Sequence, residues 1–544
     1  MFNRFLNCQT NSVGTAAGIL AISALISRVL GLIRDRLLAG TFGADANLDV
    51  YFAAFRIPDL VYNILIAGGV VVAFLPLFSE YFLKDKKDAW HFTNNTLNIF
   101  LFFLILISLG FSFFAPALLK LITPGFDSQQ IQLTVLLTRI LFLSPIFLGL
   151  SSIFSGILQY FNRFLVYGLC PILYNLGIIL GIIFLAPLSG VLGVTLGVIF
   201  GAFLHFAIQI PSAISCGFSY KPIFNFKDPE IKRVFSLMIP RTLGVAAPQI
   251  NLMVVTAIAS GLTAGSLAIF SLSNNLQQFP LGLVGIPFAV AAFPALSQAW
   301  ASLDKESFIK KFSLTLRQIL YLIIPVSFLI FILRTQIVAI ILKSGKFGQN
   351  SIELSAACLG LFTLGVWAGN LIPLIFRAFF AFQDTKTPTV IALVAMVLNI
   401  ILCFGFVWIL NYPNYFQGFI TKVLLLQKID NISVIGLPLA FSIDSILQLV
   451  LLAFFLYKGI GDFKLKEILN SFLKILTASV FMAIGVCFII SFLSLHLNTQ
   501  TFFGIFWQTA IAVFVGVLVY FGATAFLKSP EIETVKSKIF KTQR

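Results

Sequence analysis

The strongest constraint on this chain is a repeated signal: apolar runs of about twenty residues or more, parted by short polar stretches, recur from Val13 to Leu527. One run of that length crosses a hydrocarbon core about 30 Å thick as a single helix. The runs are Val13–Leu38, Val50–Phe82, Leu97–Ile122, Ile131–Tyr160, Leu165–Ala186, Val191–Ser215, Val234–Ser260, Ser266–Ala299, Leu316–Leu333, Leu354–Phe382, Pro388–Leu410, Val434–Tyr457, Phe472–Leu495 and Phe502–Leu527, fourteen in all. They are continuously apolar, whereas the strands of a membrane β-barrel alternate over about ten residues. With 59% hydrophobic and 10% charged residues, the chain has too few polar side chains to cover a soluble surface. The expected fold is all-α, a polytopic membrane protein of about fourteen transmembrane helices.

The formal charge of +16 does not describe a nucleic-acid binder, because the cations sit in short clusters between apolar runs. Those clusters alternate in strength along the chain. Arg4, Arg163, Lys386 and the groups at 84–87, 221–233, 305–311, 458–466 and 528–544 fall on one side. Only Lys120, Arg334, Lys343, Lys346, Lys422 and Lys428 fall on the other. Cytoplasmic loops collect Lys and Arg, so this asymmetry predicts that both termini are cytoplasmic. The six cysteines are scattered singly, without metal or disulfide spacing. The first apolar run carries charged residues and lacks a small-residue cleavage site, so it is expected to remain as a helix.

A weak internal repeat suggests two lobes. Leu75-Pro76-Leu77-Phe78-Ser79 near the end of segment two resembles Phe293-Pro294-Ala295-Leu296-Ser297 near the end of segment eight, and Asn175 in segment five has a counterpart in Asn399 in segment eleven. An offset of six helices makes the halves parallel repeats, an arrangement of transporters that bind substrate near the midplane. The expected organisation is an N-terminal lobe at 1–220, a C-terminal lobe at 221–465, two added helices at 466–527 and a cytoplasmic tail at 528–544. Between the spans, Ile337–Leu342 is expected as a short interfacial helix, and Asn411–Asn431 as the longest external loop. Pro280, Pro287 and Pro294 with Gly282 and Gly285 make segment eight a candidate bending helix.

Charge inside the spans is where chemistry is to be sought. Arg28 follows Val13 by about fifteen residues, roughly 22 Å at helical rise, which puts it inside the membrane. An arginine there costs about 2.5–3.5 kcal/mol on the gentler insertion scale, so it is kept for a protein interior or a wet cavity. An ion pair with an acid such as Asp35 is its plainer role; an anion-binding cavity is the sharper one. Arg34, Arg36, Arg56, Arg139, Arg241, Arg317, Arg377 and Lys474 also lie within or at the ends of spans. Arg28 and Arg34 are six residues apart, about 120° on an ideal helix, so a bend at Gly31 would be needed to aim both inward. Arg36 and Arg317, near helix ends, are expected to snorkel.

The residues that carry these charges also carry a resemblance. Ser27-Arg28-Val29-Leu30-Gly31, Arg34-Asp35, Phe42-Gly43-Ala44, Asp49 and Ala54-Phe55-Arg56-Ile57-Pro58 resemble the MurJ (MviN) family of lipid II flippases, within the multidrug/oligosaccharidyl-lipid/polysaccharide exporter superfamily. Thr123-Pro124-Gly125-Phe126, Asn162-Arg163-Phe164, Pro240-Arg241-Thr242-Leu243-Gly244, Gly345-Lys346-Phe347 and Gln383-Asp384-Thr385-Lys386-Thr387-Pro388 follow in the family order. The resemblance implies a flippase of the bacterial cytoplasmic (inner) membrane that moves an undecaprenyl-pyrophosphate headgroup outward by alternating access, for cell-wall biogenesis and cell shape. It implies lipid II or a similar glycolipid as partner, beside membrane lipids and cell-wall synthesis or division proteins. Segments thirteen and fourteen would form a groove for the lipid tail.

By that resemblance Arg28, Arg34 and Asp49 lead the substrate-binding candidates, followed by Arg56, Arg241 and Arg377. The pattern also departs from the family. Tyr62, Asn63 and Ala67 stand where family members often carry two arginines and an acid, and Asn275 and Gln278 replace an arginine and an acid in segment eight. The cavity keeps polarity there and loses charge, which leaves room for a different substrate. Asp444, with Asn399 and Asn251, forms a candidate ion-coupling site. The three histidines, His91, His205 and His496, are far apart, and no Walker-type phosphate loop occurs, so neither enzyme chemistry nor a cofactor is expected. The rival readings are export of another lipid-linked glycan or small molecule, and a non-transporting division scaffold.

Overall fold

In the computed structural model, residues 12–532 are described, and the side chains at positions 13, 67–72, 237 and 239–245 lie outside that description. Arg4, Cys8 and the tail from 533 fall outside it as well. Among the described residues the chain is helical throughout, without a strand. Polar caps punctuate the apolar runs: Asp85, Asp127 and Asp304 each accept from a first-turn amide of the helix that follows, and Asp127 closes a reciprocal box with Gln130. Each cap satisfies amides left without an intrahelical partner, which fixes where one span ends and the next begins.

Twelve helices among the described residues are long and apolar enough to cross a membrane, against the fourteen expected. The other two expected segments, Val50–Phe82 and Val234–Ser260, are helical as well but include positions outside the described residues, so they do not enter that count. Val50–Phe82 is divided into Ala46–Ala54, Arg56–Val61, a π-helical stretch Tyr62–Val70 and Val71–Lys84. Val234–Ser260 lies on the single helix Pro229–Ser260. Segments five and eight are likewise interrupted by π-helical turns, at Gly181–Leu185 and Leu281–Gly285, and segments two and eight carry a proline further on, Pro76 and Pro294. π turns leave backbone carbonyls unsatisfied and bend the helix, so the repeat visible in the Pro-containing pentapeptides extends to backbone geometry. A helix forms at Arg334–Leu342, where the short interfacial one was expected, and another, Tyr415–Leu424, occupies the long loop.

The chain divides into two compact units, Met1–Ala268 with Ser344–Phe347, and Ile269–Lys343 with Gly348–Arg544. Residues 221–268, expected with the second lobe, pack with the first. An asparagine ladder explains part of this. Asn94 Nδ2 donates to the Ser219 carbonyl, Asn95 Nδ2 to the Asn225 carbonyl and Asp228, and Asn98 Nδ2 to the Lys221 and Ile223 carbonyls, all at 3.0–3.1 Å. Arg233 reaches Glu80 at 3.0 Å.

In the first unit the core gathers Phe74, Phe78, Phe92 and Phe154, with the Phe74 and Phe92 rings stacked at 5.6 Å. Its helices Phe164–Leu180 and Val191–Ala207 meet at glycines: a Cβ on Gly177 would overlap the Gly201 Cα, and one on Gly181 the Gly197 Cα. Such backbone approach is how helices associate where lipid removes the hydrophobic drive between them. In the second unit Phe308, Phe312 and Phe379 share one core with Ile475, Met482, Ala512 and Tyr520, so the last two spans pack into this unit. Outward faces stay apolar, as at Phe113, Phe184, Phe488 and Phe514, which suits contact with lipid tails.

Candidate functional site

The Val13–Phe42 helix runs unbroken through Gly31. Arg34 is the arginine it holds in place. Arg34 Nε donates to Asp35 Oδ1 at 3.0 Å, Nη2 to the same oxygen at 2.8 Å, and Nη1 to Asn175 Oδ1 at 3.1 Å. Asn175 Nδ2 in turn donates to the Ser27 Oγ and to the Ser27 and Pro171 carbonyls at 3.1–3.3 Å. Asp35 is almost fully buried, while the Arg34 side chain keeps 23% of its surface exposed. Asp35, the acid weighed as a partner for Arg28, pairs with Arg34. A guanidinium has five N–H donors; three are engaged here, and two remain for a ligand. Arg28 and Arg36 on the same helix are half-buried.

Asp49, a substrate contact by the resemblance, is held by backbone amides in this structure. It is 4% exposed, and its carboxylate accepts from the Gly265 amide at 2.6 Å and the Ala268 amide at 2.7 Å. It thereby caps the start of the Ser266–Pro280 helix from another part of the chain. Gly265 beside it has φ +89°, and a Cβ there would strike the Ala44 carbonyl. Gly43, φ +77°, ends the first helix against the Lys346 carbonyl, and the Lys346 amide donates to the Gly40 carbonyl at 2.8 Å. The Gly125 amide donates to Ser260 Oγ at 3.2 Å. Four of the motifs quoted for the family, around Gly43, Asp49, Gly125 and Gly345, thus serve close backbone packing in the first unit.

The remaining candidates are dispersed. Arg56 donates from Nε to Thr256 Oγ1 at 2.7 Å, within the first unit. Arg241 lies on the Pro229–Ser260 helix with its side chain outside the described residues. In the second unit Arg377 lies over the Phe293 ring at 5.5 Å. Gln278 lines a polar cavity of about 140 Å³ with Gln277, Asn370, Ser442 and Ser445; Asn275, half-buried on the same helix, is not part of its lining. Asn370 Oδ1 accepts from the Gly285 amide at 3.0 Å, inside the π-helical turn. Asp444 Oδ1 and Asn399 Nδ2 are buried without a hydrogen-bond partner, and Asn251 Oδ1 is so in the first unit. An acceptor and a donor unpaired on adjoining helices mark a place for a further ligand.

One expectation is corrected. Arg317 does not snorkel: its side chain is 17% exposed, with Nη1 3.6 Å from Glu531 and Nη2 4.0 Å from Glu467. Glu531, itself buried, also accepts from Ser471 and Ser529, so acids from later helices hold the guanidinium inward. An apolar cavity of about 340 Å³ lies in the second unit, lined by Ile324, Phe328, Phe331, Leu364, Trp367, Phe472 and Leu476 among others. Segment thirteen contributes to it with segments nine and ten, and segment fourteen does not. Outside the spans, Asp384 accepts from the Lys386 and Thr387 amides at 3.0 and 2.9 Å at the start of the Lys386–Asn411 helix. Slight burial works to raise its pKa, but those hydrogen bonds prevail and hold the carboxyl below the usual range.

The family model described as lipid II flippase MurJ matches residues 38–507. The chain belongs to this family. A probable lipid II flippase MurJ of Vibrio cholerae serotype O1 is 30% identical over 408 residues, covering 72% of this chain and 77% of that protein. A solved lipid II flippase MurJ in an inward closed conformation superposes with a TM-score of 0.75 at 26% identity, covering 94% of this chain and 99% of that one. An inward-facing multidrug resistance transporter of the MATE family, in the MOP superfamily, aligns with a TM-score of 0.64 at 14% identity, a likeness of fold alone. The MurJ family's helical transporter fold and multi-pass membrane character hold for this chain.

Proposed function

We propose that this chain is a lipid II flippase of the bacterial cytoplasmic membrane, with both termini cytoplasmic, and that it acts as a transporter rather than an enzyme. The observation that carries the reading is Arg34: a guanidinium inside a membrane span, held by Asp35 and Asn175, with two donors and part of its surface left over. A guanidinium stays charged and meets phosphate oxygens in a fork geometry, which suits a diphosphate crossing the low-dielectric core. Arg28 supplies a second cation on the same helix. The headgroup enters from the inner leaflet, the two units rock, and the outer leaflet receives it. Its polyprenyl tail follows the apolar cavity beside Phe328, Trp367 and Phe472.

Arg56, Arg241, Arg377 and Gln278 supply weaker headgroup contacts in this scheme. Asp49 acts on positioning. Asp444, whose buried Oδ1 has no hydrogen-bond partner, is the anionic ligand of the coupling ion, and Asn399 on the adjoining helix offers its amide oxygen. Cell-wall synthesis and division proteins are the expected neighbours of the transporter. The test is native mass spectrometry of the purified chain with lipid II, comparing Arg28→Ala and Arg34→Lys. The reading expects saturable binding by the native chain and at least about tenfold weaker binding by each variant, the loss of one charge-assisted contact. Equal binding by native chain and both variants would overturn the site.

A further inference from the structure

One intramembrane acid in the first unit plays no part in the arginine network. Asp59, in the short helix Arg56–Val61, is half-buried, and among the described residues its carboxylate accepts no hydrogen bond and has no cation within 4 Å. Arg56, one turn earlier, supplies positive charge at longer range while its Nε is committed to Thr256. Asp59 lines a cavity of about 360 Å³ within the first unit, together with Tyr62, Asn63, Ser144, Tyr174 and His205. That is room for a small ion with several waters, since each water takes about 30 Å³ of liquid.

The cavity wall is an oxygen donor set. Asn63 Nδ2 is used on the Asp59 carbonyl at 2.8 Å, which leaves its Oδ1 as an acceptor. Ser144 brings a hydroxyl. Leu141 and Pro145 also line the wall, and because Pro145 has no N–H, the Leu141 carbonyl lacks its usual helical donor. A carboxylate, an amide oxygen, a hydroxyl and a backbone carbonyl are hard ligands, suited to hard cations and not to soft metals. The wall holds one negative charge, which one monovalent cation balances; divalent sites with all-oxygen ligands collect more carboxylates. The charged and titratable groups around Asp59 are Arg56 on its own helix, Arg34, Asp35 and Tyr51 from neighbouring helices, Tyr62, Tyr174 and His205. Asp35 is already paired with Arg34, and His205 Nδ1 lies 2.6 Å from Ser151 Oγ.

We propose that this cavity is a monovalent-cation site of the sodium class, with Asp59 as its anionic ligand and Asn63 and Ser144 as neutral ones. A proton competes at the same carboxylate, so sodium binding weakens as pH falls. The site is separate from Asp444, which lies in the other unit, and it stands or falls independently of the lipid substrate.

The test is isothermal titration of the purified full chain with NaCl against choline chloride, at pH 8 and pH 6, with Asp59→Asn, Asn63→Leu and Asp444→Asn beside the native protein. The site predicts saturable sodium binding that is stronger at pH 8. Asp59→Asn should lose one binding event, with affinity at this site reduced at least tenfold, Asn63→Leu should weaken that event several-fold at native melting temperature, and Asp444→Asn should keep it while losing any separate event held at Asp444. Unchanged sodium binding in Asp59→Asn, or no saturable sodium binding by the native chain at either pH, would overturn the proposal. If Asp59→Asn fails to purify as a folded species, Asn63→Leu decides, and undiminished binding in it refutes the site.

Discussion

Arg34 and Asp35 form a pair in which each partner needs the other. Removing the guanidinium takes two hydrogen bonds and a charge partner from an almost fully buried carboxylate, a loss of about 3–5 kcal/mol for broken buried pairs. Arg34→Ala should therefore lower the melting temperature of the purified chain markedly, and Arg34→Ala with Asp35→Asn should recover much of it. If both melt alike, the pair does not hold the helix. Asp49→Asn tests capping against substrate contact. An amide group offers one acceptor oxygen where the carboxylate serves two backbone amides, so a stability loss of about 1–2 kcal/mol is expected with lipid II affinity retained. A native melting curve with lost affinity would return Asp49 to the substrate site. Sequence could raise both residues as buried charges but could not assign partners, because Asn175 and Gly265 are more than a hundred positions away from them. Nor could it show that Asp35, about two helical turns from Arg28, pairs with the adjacent Arg34.

At the scale of elements, apolar run length was enough to place almost every helix, since length and hydropathy are local properties of the chain. The π-helical turns in segments two and eight were not legible; prolines and glycines in those segments hinted at bending without saying where the register slips. The glycines spaced four apart at 177–181 and 193–201 were a legible signal for close helix packing, one that hydropathy does not register. Gly181→Val and Gly197→Val should each overpack that contact and cost about 1–3 kcal/mol, read as a lower melting temperature in detergent. The same change at Gly110, which has open space, should leave melting unaffected. Equal effects at all three positions would mean that the glycines serve something other than this approach.

For the whole molecule, sequence symmetry and compact packing divide the chain differently. The repeat sets a boundary near 220, while the asparagine ladder at 94–98 and the bonds from Asp49 and Arg56 hold residues through 268 to the first unit. Repeats record how hydropathy recurs, and they carry no information on which polar side chains reach across loops. Orientation, by contrast, follows from the placement of Lys and Arg alone. Single cysteines introduced at Lys386 and at Lys422 should label from opposite sides of the membrane, with Lys386 on the side of both termini. Labelling of both from one side would invalidate the assigned topology. The central claim is transport, and its most direct measurement is external lipid II in a bacterium depleted of its own flippase and supplied with this chain or its Arg28→Ala and Arg34→Lys variants at matched membrane levels. The account predicts that the native chain restores external lipid II and growth while both variants fail; a well-inserted native chain that restores neither would contradict it.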